Sequence, residues 1–89
     1  MKTVRVRVHG RVQGVWYRGT ARGEAERLGL HGWVRNRSDG SVELLLQGDG
    51  AALEEMLAWC RVGPPGADVT RLDVDDAEGY DTLSDFQIR

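Results

Sequence analysis

The sequence predicts an α+β protein of element order β-α-β-β-α-β, and two observations carry the prediction. Apolar residues alternate at every second position in three or four short segments, the period of a strand with one buried face. Two intervening segments repeat them every third and fourth position, the period of a helix with one buried stripe.

The first strand is read from Val4, Val6 and Val8, which alternate with Thr3, Arg5, Arg7 and His9. Gly10 is expected to break it, leaving Gly10-Arg11-Val12-Gln13-Gly14-Val15 as a glycine-containing loop. Tyr17, Ala21, Ala25 and Leu28 then fall at helical spacing, and Gly29 is placed to end that helix. Gly32-Trp33-Val34-Arg35-Asn36 reads as the second strand, Ser38-Asp39-Gly40 as a hairpin turn, and Val42, Leu44 and Leu46 as the third strand, closed by Gly48-Asp49-Gly50. Leu53, Met56, Leu57 and Cys60 mark a second helix, and Gly63-Pro64-Pro65-Gly66 stops it. Thr70, Leu72 and Val74 give a fourth strand, with Phe86 and Ile88 as a short terminal one.

This order is the ferredoxin-like βαββαβ sandwich, an antiparallel sheet with two helices on one face. The other face is expected to meet water, which explains the clean alternation and leaves Arg5 and Arg7 as solvated side chains. The fold by itself implies no activity, because many functions use it.

Eighty-nine residues, with no internal repeat or long linker, fit one domain over 1–89. A hydrophobic fraction of 40% argues against disorder. No apolar run approaches the roughly 20 residues of a membrane span, and arginines stand where a signal peptide needs apolar residues, so a cytoplasmic protein is expected. The lone Cys60 suits a reducing compartment and falls on a buried helix stripe. Residues 1–38 hold nine Lys/Arg against two Glu, and residues 39–89 three Arg against twelve Asp/Glu. The basic half favours anions, whereas the acidic half would repel an extended phosphate backbone, so no nucleic-acid partner is expected. Trp33 and Trp59 read as packing residues, and Trp16 as either packing or a lip of a site.

The segment from Val12 to Arg18 leaves a strand and opens a helix. Amides at a helix start lack partners, the helix dipole adds positive charge there, and Gly14 lets the backbone curl so that several N–H groups converge on one anion. Arg18 would close such a cradle with a fork that fits phosphate oxygens. By spacing alone, a plain strand-to-helix turn with a surface arginine is the commoner arrangement, because glycine-rich loops are widespread. Asn36, read alone, is a strand-end turn former.

The residues together resemble a known family. Gly10, Val12-Gln13-Gly14-Val15 and Tyr17-Arg18 resemble the first acylphosphatase signature; Gly32-Trp33-Val34-Arg35-Asn36 followed by Gly40, Val42 and Gly48 resembles the second. The closing Asp85-Phe86-Gln87-Ile88 is also similar, so the likeness covers essentially the whole chain. It implies the same fold and a hydrolase that cleaves the carboxyl-phosphate anhydride of acyl phosphates. It also implies a phosphate-binding backbone at Val12, Gln13, Gly14, Val15, Trp16, Tyr17 and Arg18, with Arg18 binding substrate and Asn36 positioning the attacking water. Arg37 and the second helix constrain little in that comparison.

Such chemistry needs no cofactor and no metal: the carboxylate is already a good leaving group, and His9, His31 and Cys60 have no zinc-site spacing. Expected partners are therefore a small acyl phosphate and inorganic phosphate, as product and inhibitor, with no membrane and a monomeric state. The alternatives are a non-catalytic ferredoxin-like anion-binding or regulatory module, which could dispense with Arg18 or Asn36, and the corresponding domain of a larger maturation enzyme, which should run on into cysteine-rich zinc motifs. An RNA-binding module would place aromatics where Arg5, Arg7, Glu43 and Leu45 stand.

Overall fold

The period-two valines of the N-terminal segment build the centre of the sheet. In the computed structural model, which describes residues 1–89, the order is β1 (Lys2–Arg11), α1 (Tyr17–Arg27), β2 (His31–Asn36), β3 (Val42–Gly48), α2 (Gly50–Val62), β4 (Asp68–Asp76) and β5 (Phe86–Ile88). Val4, Val6 and Val8 of β1 lie opposite Leu46, Leu44 and Val42 of β3, and Val34 of β2 lies opposite Leu44. Both helices bury their apolar stripes on this face: Tyr17, Ala21 and Ala25 from α1, and Leu53, Met56 and Cys60 from α2, join those strand residues in one core cluster. No helix is long and apolar enough to cross a membrane.

Helix α1 ends as Gly29 predicts. Gly29, at φ 71°, donates to the Glu26 carbonyl and Leu30 to the Ala25 carbonyl, a left-handed glycine stop that returns the chain to the sheet.

The sheet order is β4-β1-β3-β2-β5. All pairs are antiparallel except β2–β5, which is parallel. The chain thus leaves one edge at β4 and re-enters at the other, and residues 77–85 make that crossing over the face away from the helices. Ala77 donates to the Thr3 carbonyl; Gln47 holds the segment twice, Nε2 donating to the Asp81 carbonyl at 3.1 Å and Oε1 accepting from the Leu83 amide at 2.7 Å; and the Gly32 amide donates to the Asp85 carbonyl.

Three expectations are corrected. Gly10 does not end the first strand: β1 continues to Arg11, and the β1–β4 register shifts between His9 and Gly10. Gly10 is at φ 118°, and a Cβ there would run into the Asp68 carbonyl, so glycine permits the close approach at this bulge. The same shift removes Thr70 from the inward row. Thr70 is exposed, Val69 and Leu72 pack on the core, and Val74 is partly exposed on the edge strand.

The outer face is also not wet along β3. Glu43, Leu45 and Gln47 are buried. The 77–85 segment covers the Gln47 end, and arginines cover the Glu43 end. The Glu43 carboxylate, with its side chain 5% exposed, lies 2.6 Å from Arg35, 3.4 Å from Arg37 and 3.7 Å from Arg5. Burying a carboxylate is costly unless it is paired, and the three guanidinium groups meet that requirement. Arg5 and Arg7 are therefore not free solvated groups: Arg5 also donates to the Tyr80 hydroxyl, and Arg7 pairs with Asp75. Asp73 likewise holds His9 at 3.0 Å, leaving that histidine half-buried rather than exposed.

Candidate active site

Three local features turn the end of β1 and the start of α1 into a cleft. Val12, fully buried, pins one end of the loop, and Tyr17 pins the other. The Tyr17 hydroxyl donates to the Cys60 carbonyl at 2.9 Å, and its ring lies 5.2 Å from that of Trp59. Burial pushes the Tyr17 hydroxyl well above the usual phenol range, so it stays a neutral donor. Between these anchors the backbone curls. Gly14 is at φ 76° and Trp16 at φ 62°, with Val15 between them outside the left-handed region. Alternating handedness of this kind turns successive N–H groups toward one side and makes a concave nest for an anion.

These amides are open. From Gln13 to Gly19 none donates to another protein atom; the first to do so is Thr20, to the Trp16 carbonyl at 3.2 Å. Helix α1 has no side-chain cap and no acidic residue in its first turn, so its positive end is left for an external anion.

Arg18 projects from that first turn. It donates to the main-chain oxygen of Arg89 at 3.1 Å, and no Asp or Glu side chain pairs with it. Asn36 stands at the end of β2, on the same side of the strand as Val34, exposed and with its amide group engaged by no protein partner. A single cleft of about 560 Å³ is lined by Val12 through Gly19, Asn36 and Ile88. Every residue expected at the site from the sequence thus lines one cavity.

Their contributions differ, however. Val12 and Tyr17 offer only backbone, because their side chains are spent on the core. Gln13 turns its side chain away, its Nε2 donating to the carbonyls of Arg37 at 2.7 Å and Ser41 at 2.9 Å. Arg37 is accordingly not an indifferent position, since its carbonyl anchors the loop and its guanidinium serves Glu43.

Gly19, Ile88 and the Arg89 carbonyl were not foreseen. A glycine inside the first turn of a helix was a readable signal for Gly19; nothing in the spacing points to the last two. No group of three or more His, Cys, Asp or Glu is placed to hold a metal ion. The cleft presents a bed of amide donors, a guanidinium with no acidic side-chain partner and a carboxamide with no protein partner.

Fold and cleft together define a small α+β sandwich in which the loop after the first strand presents open amides and an arginine to one cleft. The acylphosphatase family profile matches residues 4–88. An acylphosphatase of Thiobacillus denitrificans is 54% identical, over 89% of this chain and 89% of its own. One of Methylococcus capsulatus is 52% identical, over 99% and 96%. The crystal structure of acylphosphatase from Bacillus subtilis superposes with a TM-score of 0.96 at 37% identity, over 100% of this chain and 99% of that one. The chain belongs to the acylphosphatase family, and it is an enzyme that hydrolyses acyl phosphates rather than a non-catalytic module.

Proposed function

We propose that the chain hydrolyses the carboxyl-phosphate anhydride with the backbone of residues 12–18 and Arg18 as the phosphoryl site and Asn36 as the water site. The observation that carries this is the meeting of open amides, an Arg18 guanidinium with no acidic side-chain partner and an unengaged Asn36 carboxamide around one cleft. The amides and Arg18 hold the phosphoryl oxygens, where charge accumulates in a loose transition state. Asn36 both accepts and donates, so it can hold a water in line with phosphorus. The water oxygen bonds to phosphorus as the bond from phosphorus to the acyl oxygen breaks. The carboxylate leaves with the electron pair, and the water proton passes to a phosphoryl oxygen, giving inorganic phosphate.

Asn36 is no base and the leaving carboxylate needs no acid, so this scheme draws on no further titrating side chain. It routes no step through a metal or cofactor. Inorganic phosphate, which presents the same oxygens, competes for the cradle. The cleft is complete within one chain, which supports a monomeric enzyme acting as one domain. The lone thiol suits work in the cytoplasm. The test is phosphate release from acetyl phosphate against a simple phosphate ester. Release from the anhydride alone, unaffected by exhaustive chelation, supports the scheme; equal release from both overturns it.

A further inference from the structure

Trp16 is the one residue other than glycine at positive φ. Bulky side chains rarely adopt that conformation, and where they do the surroundings must hold it. Here the next helical turn does so: the Trp16 carbonyl accepts from both the amide of Thr20, at 3.2 Å, and its Oγ1, at 2.8 Å. The indole lies over Gly19, where an added Cβ would come within 2.6 Å of Cζ2, so the absence of a side chain at Gly19 is what seats the ring.

The seated ring is nonetheless 76% exposed. It belongs neither to the core nor to the apolar residues packed against it, yet it lines the cleft beside the phosphate cradle. A fixed, exposed indole at the mouth of a binding site offers a flat apolar face to whatever enters.

We propose that the Trp16 indole is the acyl subsite, and that it selects acyl phosphates carrying a flat, apolar acyl group, an aromatic one above all. The inference rests on the phosphoryl and water assignments made above. The cradle accounts for the phosphoryl end of the substrate and leaves the acyl end to be placed. Asn36 enters the cleft from the end of β2, and Trp16 from the loop-and-helix wall. A water held at Asn36 and an acyl group resting on Trp16 therefore occupy different walls, an arrangement compatible with in-line displacement.

The test compares benzoyl phosphate with acetyl phosphate on the wild-type chain, Trp16→Ala and Trp16→Phe. Any effect of substitution on the cradle through the backbone falls on both substrates alike, so the ratio of their KM values isolates the side chain. Stacking on the ring is expected to favour benzoyl phosphate by about tenfold in that ratio. Trp16→Ala should abolish the preference through KM, and Trp16→Phe should restore most of it. A ratio unchanged in Trp16→Ala overturns the subsite alone. A wild-type chain that hydrolyses neither substrate overturns the reading of the whole site, and the subsite with it.

Discussion

Gln13 joins the loop after β1 to the β2–β3 turn: its Nε2 donates to the Arg37 carbonyl at 2.7 Å and to the Ser41 carbonyl at 2.9 Å. Arg37 follows Asn36 directly, so one side chain ties the loop proposed as the phosphoryl cradle to the residue proposed to hold the water. A site that relies on positioning depends on such a link, because a displacement of about 1 Å can cost on the order of 10²-fold in rate.

Gln13→Ala should therefore lower turnover although Gln13 contributes no side chain to substrate. Losing two hydrogen bonds should also cost about 1–3 kcal/mol of stability. Gln13→Glu keeps the size but removes both donors and should behave the same way. Urea denaturation and steady-state kinetics check both. Full activity in Gln13→Glu would show that the link is dispensable.

Two glycines should respond differently to the same substitution. Gly32 is at φ 143°, and its Cβ would overlap the Leu45 carbonyl of the neighbouring strand, so Gly32→Ala should cost more than about 3 kcal/mol and threaten folding. Gly14 is at φ 76° with open space around it, so Gly14→Ala should cost about 1–2 kcal/mol, fold, and weaken phosphate binding by straining the cradle. Thermal melts with phosphate titration distinguish the two. Comparable melting temperatures would contradict the packing described here.

Cys60 is buried, and burial pushes its thiol up to about 12 from 9.0. Only the thiolate reacts, so iodoacetamide at pH 8 should label Cys60 at the rate of global unfolding and not before. The sign for stability follows from the same shift. Below pH 9 the folded and unfolded thiols are both protonated and the contribution is fully present. Above it the unfolded chain releases its proton first, so stability should fall as pH rises toward 12. The buried Tyr17 hydroxyl acts in the same direction at higher pH. Denaturation midpoints measured from pH 8 to pH 11 check this; a midpoint that rises with pH would contradict it.

The helix-facing half of the molecule was legible from sequence because burial there follows a period. Val4, Val6 and Val8, with Leu44 and Leu46, are apolar at every second position, and Ala21, Ala25, Met56 and Cys60 follow the helical repeat. The outer face was not legible. Glu43 and Gln47 are polar and read as wet, yet they are buried through partners brought from Arg5, Arg35, Arg37 and the 77–85 segment, which no local pattern reveals. Thr70 was misplaced because a bulge shifts the period by one residue without a mark of its own in β4. At the site, family-like residues pointed to the loop, Arg18 and Asn36, which line one cleft. The left-handed Trp16 and the Gln13 link depend on backbone angles and on a turn 24 residues away, and neither leaves a trace in spacing.

Steady-state kinetics of Asn36→Ala and Arg18→Gln, with phosphate inhibition constants for each and circular dichroism to confirm folding, test the division of labour at the centre of the account. Arg18 is assigned to the phosphoryl group in both the bound and the transition state, so Arg18→Gln should raise KM and the phosphate inhibition constant and also slow turnover. Asn36 is assigned to the water alone. Asn36→Ala should cut turnover by ~10²-fold or more while leaving phosphate affinity nearly unchanged. Near-normal turnover in Asn36→Ala, or a loss explained wholly by weaker phosphate binding, would contradict the assignment.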